Sequence, residues 1–170
     1  INHDERIDCE FPLIRTARKT NEIQAERLFA RLGRIHKFVK AEDSVLILGI
    51  AFRPGVKEHT NSGAYEIRSA AVHLGLESFV DDPLYSDHDI RELGFAPWRL
   101  QSSRLPSILV LNTAHPEYRA VCPELLRSKG VRAVVDGRNI WQRVQFAQKG
   151  LAYVAPGIPS TASLSSVRKG

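Results

Sequence analysis

Two short segments hold most of the residues able to do chemistry. The first, residues 44–62, reads Ser-Val-Leu-Ile-Leu-Gly-Ile-Ala-Phe-Arg-Pro-Gly-Val-Lys-Glu-His-Thr-Asn-Ser. It is an apolar run that passes into a basic, glycine-containing loop. The second, residues 134–139, reads Val-Val-Asp-Gly-Arg-Asn, an apolar run ending in an acid, a glycine and an arginine. Arg53, Lys57 and Arg138 are cations able to hold an anion, and the planar fork of arginine suits phosphate or carboxylate. Gly137 allows a sharp turn and a close approach of backbone to ligand. If both runs are strands of one parallel sheet, both loops leave at its carboxyl edge, where such sheets bind ligands. The chemistry implied is recognition of an anion, most simply a nucleoside diphosphate. The plain alternatives are that Phe52 only covers the sheet edge, that Arg53 is a solvated charge, and that Arg138 pairs with Asp136 in a strand-end turn.

Other reactive types carry weaker signals. Gly49 and Gly55 flank the first loop, but no Gly-x-Gly-x-x-Gly fingerprint follows the strand, which argues against a dinucleotide site there. Asp82 ends the second apolar run, where an acid binds ribose in dinucleotide folds; without the fingerprint it reads as a cap or turn residue. His115, before Pro116, reads as structural. Cys9 lies among acids and Cys122 is remote from it, so the two make neither a nucleophile setting nor a metal-ligand spacing. Cys122 reads as buried or as lying at a helix start. No metal site is expected.

The elements that must position these residues alternate. Ile14, Ala17, Ala25, Leu28, Leu32 and Ile35 recur at helical steps, predicting a long amphipathic helix over residues 12–38. Its apolar stripe needs a surface, either the domain that follows or a partner copy. Strands are expected at Val45–Ile50, Glu77–Val80, Ser107–Leu111 and Val131–Val135, the central ones apolar throughout as in a sheet buried on both faces. Helices are expected after the cap Ser62 up to Gly75, at Tyr85–Leu93, and at Pro123–Lys129 before Gly130. Strand–helix alternation means α/β architecture: a Rossmann-like parallel sheet with helices on both faces, preceded by the long amphipathic helix. The divisions expected are 1–40 for the helix region, 41–156 for the α/β domain, and 157–170 for a flexible Ser-rich tail.

Bulk composition bounds the function. With 170 residues and 43% hydrophobic content, the chain supports one real core. The net charge of +5 favours anionic partners,. The cations are dispersed, without an aromatic-basic signature or zinc spacing, so nucleic acid is not the expected partner. No apolar run approaches a membrane span. Two distant cysteines suggest a reducing, cytoplasmic setting. The absence of methionine and the start at Ile1 suggest a fragment or processed chain.

A family resemblance covers roughly residues 10–156. The loop after the first strand resembles the Phe-Lys-Pro-Gly…Asp-x-Arg-x-Ser-Pro-Ala loop of nucleotide-sugar 6-dehydrogenases, the UDP-glucose/GDP-mannose dehydrogenase family. Asp136-Gly-Arg138 resembles its Asp-Gly-Arg motif, and Phe79-Val-Asp-Asp-Pro83 its Tyr-Asp-Pro strand end. Residues 109–118 resemble its Leu-x-Thr-x-His-x-x-Phe segment, and residues 12–22 the start of its central helix. The resemblance implies the C-terminal, nucleotide-binding portion of an NAD-dependent enzyme that oxidises the C6 alcohol of a UDP-sugar to the uronic acid for polysaccharide synthesis. It implies contacts to substrate from Phe52, Arg53 and Arg138, and homodimerisation through the central helix, which would take up its stripe. It puts NAD on a separate domain and the nucleophilic cysteine in a Gly-Gly-x-Cys setting absent here, so the chain is expected to be inactive alone. Four positions depart: Arg53 replaces Lys, Glu58 replaces Asp, Thr60 replaces Arg, and Gly63 replaces Pro. Loss of the arginine at Thr60 removes a charge for which Lys57 could partly compensate. It also motivates the alternative of a non-catalytic nucleotide-binding or assembly module with a degenerate site.

Overall fold

In the computed structural model the described residues are Thr16, Thr20, 23–35 and 43–158. Helix α1 (Gln24–Ile35) leads into β1 (Ser44–Leu48), α2 (Ala64–His73), β2 (Glu77–Asp81), α3 (Asp87–Glu92) and β3 (Ala96–Pro97). Then follow β4 (Ile108–Leu111), a 3-10 turn (Pro116–Tyr118), α4 (Pro123–Ser128), β5 (Ala133–Asp136), α5 (Arg143–Gln148) and β6 (Ala152–Val154). The six strands form one sheet in the order β3-β2-β1-β4-β5-β6, and every pairing is parallel. Chain direction across the sheet reverses between β1 and β4, the switch point at which such sheets open a crevice.

Alternate side chains of the strands face opposite cores. Val45, Ile47, Ile108, Val110 and Val135 pack under α1 and α2, while Leu46, Leu48, Leu109, Leu111 and Val134 pack against Tyr118, Leu126, Trp141 and Phe146. Helices therefore cover both faces, as the apolar strand runs require. The register sets Leu48 beside both Asp81 and Leu111, and Leu111 beside Asp136. Four strands thus end in one row, and their loops share one edge.

The expected long helix is described over Gln24–Ile35, with Thr16 and Thr20 also helical. The rest of its expected span, including Ile14 and Ala17, lies outside the described residues, as do Cys9 and most of the expected tail. Ala25, Leu28, Phe29 and Leu32 are buried, each contributing on the order of 1 to 3 kcal/mol for the larger side chains. They face α2, β5 and β6 of the same chain. The resemblance favoured burial of this stripe on a partner copy, and that expectation is corrected for this part of the helix. Arg31 adds a clamp, donating to the carbonyls of Ala155 (2.8 Å) and Ile158.

Three elements lie beyond the expected rhythm. β3 is two residues long and β6 three, too short to show periodicity, and α5 has a mixed surface with only Phe146 and Ala147 buried. β1 ends at Leu48 rather than at residue 50 because Gly49 turns the chain at φ +92°. The residue at the N-cap of α2 is Gly63, although Ser62 Oγ does accept from the Ala64 N–H at 3.3 Å. Cys122 is exposed at the start of α4.

Candidate functional site

A cavity of about 630 Å³ opens above the carboxyl ends of β4 and β5, between α1 and the first turn of α2. Phe52 and Arg138, from the two loops first picked out in the sequence, both line it, with Gln24, Asn61, Glu66 and Asn112. Phe52 is an apolar side chain left 49% exposed at this wall, held there by a backbone bond from its own N–H to the carbonyl of Glu58 at 2.6 Å.

The turn carrying Arg138 is organised by Asp136. Its fully buried carboxylate accepts from the Arg138 N–H (3.1 Å), the Trp141 N–H (2.8 Å) and the Tyr153 hydroxyl (2.7 Å). Asp136 therefore binds the backbone of Arg138 and leaves the guanidinium to other partners. Gly137 is required by space: a Cβ there would lie 2.6 Å from the Leu111 carbonyl oxygen. The Arg138 Nε donates to the Asn112 carbonyl. Arg138 remains exposed to solvent, and partial desolvation lowers its guanidinium from the ordinary value,.

The stem of the Phe52–Arg53 loop is fixed by Asp82. Its buried carboxylate accepts from the N–H groups of Ile50 (2.8 Å), Ala51 (2.9 Å) and Leu84 (2.8 Å). Burial alone would raise this carboxyl, but the neighbouring His115 and the amides of Ala51 and Leu84 outweigh it and hold the group below its ordinary value. His115 Nε2 lies 3.3 Å from Asp82 Oδ2, near enough for attraction but not aligned as a hydrogen bond. Thr113 Oγ1 donates to the Ala51 carbonyl. The cap or turn role expected of Asp82 and the structural role expected of His115 match these contacts.

The other two expected contacts do not share the cavity. Arg53 is exposed on the loop and does not line it. Lys57 points elsewhere: its ammonium pairs with Asp89 at 2.9 Å, sits 5.2 Å from the centre of the Tyr85 ring, and lines a separate hollow of about 230 Å³. The expectation that Lys57 joins Arg138 is corrected, since the loop carries it to α3. Thr60 is exposed.

Asn112, Glu66, Asn61 and Gln24 were not singled out from the sequence. Asn112 had a signal, being the first polar residue after the apolar run of β4. Its Nδ2 donates to the Gly49 carbonyl (2.8 Å) and to Ser62 Oγ (3.1 Å), tying the ends of β1 and β4 to the start of α2. Asn61 sits at φ +59°, which asparagine tolerates better than most residues,.

Among the described residues, those at the ends of β1 and β2 do not fit a nicotinamide dinucleotide. Gly49 is packed against Thr113, where a Cβ would lie 2.4 Å from Thr113 Cβ, so it offers no phosphate cradle. Asp82, where a ribose-binding acid would stand, is wholly buried and spent on backbone amides. Among the described residues, one group with metal-ligating atoms within 4.8 Å of each other occurs, His88, Asp89 and Glu92 on exposed α3, away from the cavity. Among the described residues no helix is long and apolar enough to cross a membrane.

Comparison with known proteins agrees with this fold. The model of the UDP-glucose/GDP-mannose dehydrogenase family, UDP binding domain, matches residues 46–143. No curated protein matches the chain. Among solved structures, the UDP-D-ManNAc dehydrogenase of Pyrococcus horikoshii superposes with a TM-score of 0.65 at 24% identity, over 88% of this chain and 34% of that one. The NDP-N-acetyl-D-galactosaminuronic acid dehydrogenase of Methanosarcina mazei Go1 gives 0.62 at 18% identity, over 91% and 33%. A UDP-glucose dehydrogenase from Pyrobaculum islandicum gives 0.57 at 21% identity, over 84% and 30%. At these identities the likeness is one of fold, and the chain spans about a third of the length of each of these structures.

Proposed function

The chain belongs to the UDP-glucose/GDP-mannose dehydrogenase family, as its UDP binding domain, and on that premise we propose that the cavity at the carboxyl edge holds the nucleoside diphosphate of a nucleotide sugar. The observation that carries this reading is Arg138. It is a solvent-accessible cation on the cavity wall whose carboxylate neighbour, Asp136, is consumed by backbone amides and Tyr153. Such a cation donates to a pair of phosphate oxygens in a charge-assisted, two-pronged contact. Phe52 offers an apolar face on the same wall, and Arg53, next in the chain, is an exposed cation on the same loop. Lys57 is committed to Asp89 and has no part in this reading.

The whole enzyme then oxidises a UDP-sugar at C6 to the uronic acid with NAD, and this chain anchors the substrate. NAD and the nucleophilic cysteine belong to parts beyond this domain, so the chain alone has no dehydrogenase activity. A homodimer would use helix surface other than the Ala25–Leu32 stripe, which is already covered. A cytoplasmic setting is compatible with the free, exposed thiol of Cys122,.

Calorimetric titration with UDP and UDP-sugars tests the reading. The chain should bind UDP, and Arg138→Ala should weaken binding by roughly 1.5–3 kcal/mol, the value of a hydrogen bond to a charged group. A chain that binds no UDP would leave the assembly-module alternative instead.

A further inference from the structure

Glu66 is the second charged residue on the cavity wall besides Arg138. Its Oε2 is buried and meets no hydrogen-bond partner among the described residues. It lies in the first turn of α2, and the helix dipole accounts for an acid in that turn. The dipole does not account for burying a carboxylate oxygen without a donor, which is unfavourable unless something meets it. The Asn112 amide cannot serve, because its N–H groups are directed to Gly49 and Ser62.

We infer that Glu66 reads a hydrogen-bond donor on the nucleoside, and so fixes which end of the ligand lies where. This rests on the reading of the cavity as a nucleoside diphosphate site. An ionised carboxylate accepts and never donates. A diphosphate offers only acceptors and negative charge, so it is repelled from Glu66 and drawn to Arg138. The donors of the same ligand are its ribose hydroxyls and the N–H of its base. The two charged residues of the wall thus set the polarity of binding: phosphates to Arg138, nucleoside to Glu66. The cavity would reject nucleotides whose donor is blocked, which makes Glu66 a specificity-determining residue.

The test is titration of the full chain with UDP, 2′-deoxy-UDP, N3-methyl-UDP and inorganic pyrophosphate, for wild type, Glu66→Ala and Glu66→Gln. Wild type should prefer UDP by about tenfold over whichever analogue lacks the donor, equivalent to one hydrogen bond to a charged group. Loss against 2′-deoxy-UDP assigns the ribose, and loss against N3-methyl-UDP assigns the base. Glu66→Ala should lose about tenfold for UDP, lose the discrimination, and bind pyrophosphate at least as tightly as wild type. Its thermal midpoint should not fall. Should Glu66→Ala fold poorly, Glu66→Gln keeps the shape and one acceptor oxygen and should show reduced discrimination in a folded protein. Equal binding of all three nucleotides by wild type overturns the inference, as does an unchanged UDP affinity in Glu66→Ala or a parallel loss of pyrophosphate. UDP binding that depends on Arg138 but not on Glu66 overturns this inference alone, whereas no UDP binding by wild type removes the site reading with it.

Discussion

Asn112 fills the space that a side chain on residue 63 would need: a Cβ built on Gly63 would lie 2.8 Å from Asn112 Oδ1. The asparagine is not free to move aside, since its amide holds Gly49 and Ser62. The departure from proline at Gly63 and the asparagine after β4 are therefore one feature, a small residue and the side chain that occupies its place. Gly63→Ala should destabilise the domain by about 1–3 kcal/mol, the usual cost of overpacking. In the Asn112→Ala background the same change should cost much less. A double-mutant cycle by urea denaturation measures this coupling, and strictly additive effects would count against it.

Asp82 predicts a pH dependence. Its folded carboxyl lies below the ordinary value, so its contribution is fully present above the unfolded value near 4. That contribution is lost as pH falls through the lower folded value, because the unfolded state then binds protons first. Asp82→Asn should cost about 2 kcal/mol at pH 7, where the amides of Ile50, Ala51 and Leu84 lose a charged acceptor,. The gap between variant and wild type should narrow below about pH 4. Chemical denaturation at pH 7, 5 and 3 measures it, and a gap independent of pH would refute the assignment.

Lys57 gives a prediction that separates it from the cavity. Asp89 is held at about 2, chiefly by its bond to Lys57 and then by the backbone and hydroxyl of Ser86. Lys57→Met should raise the Asp89 value partway towards the ordinary carboxylate range near 4, with Ser86 keeping the remainder of the shift. An NMR titration of the Asp89 carboxyl reads this directly. The same variant should bind UDP as wild type does. A drop of tenfold or more would return Lys57 to the ligand site.

Much of the architecture was legible because it is written locally. Val45–Leu48, Ile108–Leu111 and Val134–Val135 are apolar at every position, which only a strand covered on both faces requires. Ala25, Leu28 and Leu32 repeat at helical spacing whatever they pack against. Asp136, Gly137 and Arg138 were recognisable by type, since a glycine between an acid and an arginine has few uses. The short β3 and β6 were not legible, because two or three residues carry no period and are held by their neighbours in the sheet.

The sequence by itself determined the alternation of elements, the shared carboxyl edge and the kinds of group found there. The tertiary structure alone decided which of those groups meet. Lys57 and Arg138 are both cations on loops at that edge, yet one pairs with Asp89, 32 residues away, and the other faces the cavity. Asp136 could have taken the Arg138 guanidinium, but Trp141 and Tyr153 converge on its carboxylate and leave it only the backbone N–H. Glu66 and Asn112 entered the site in the same way, where the start of α2 meets the residue that follows β4. Periodicity and residue type are set by neighbours a few positions apart. Pairing is set by contacts that exist only once the sheet has brought distant segments together.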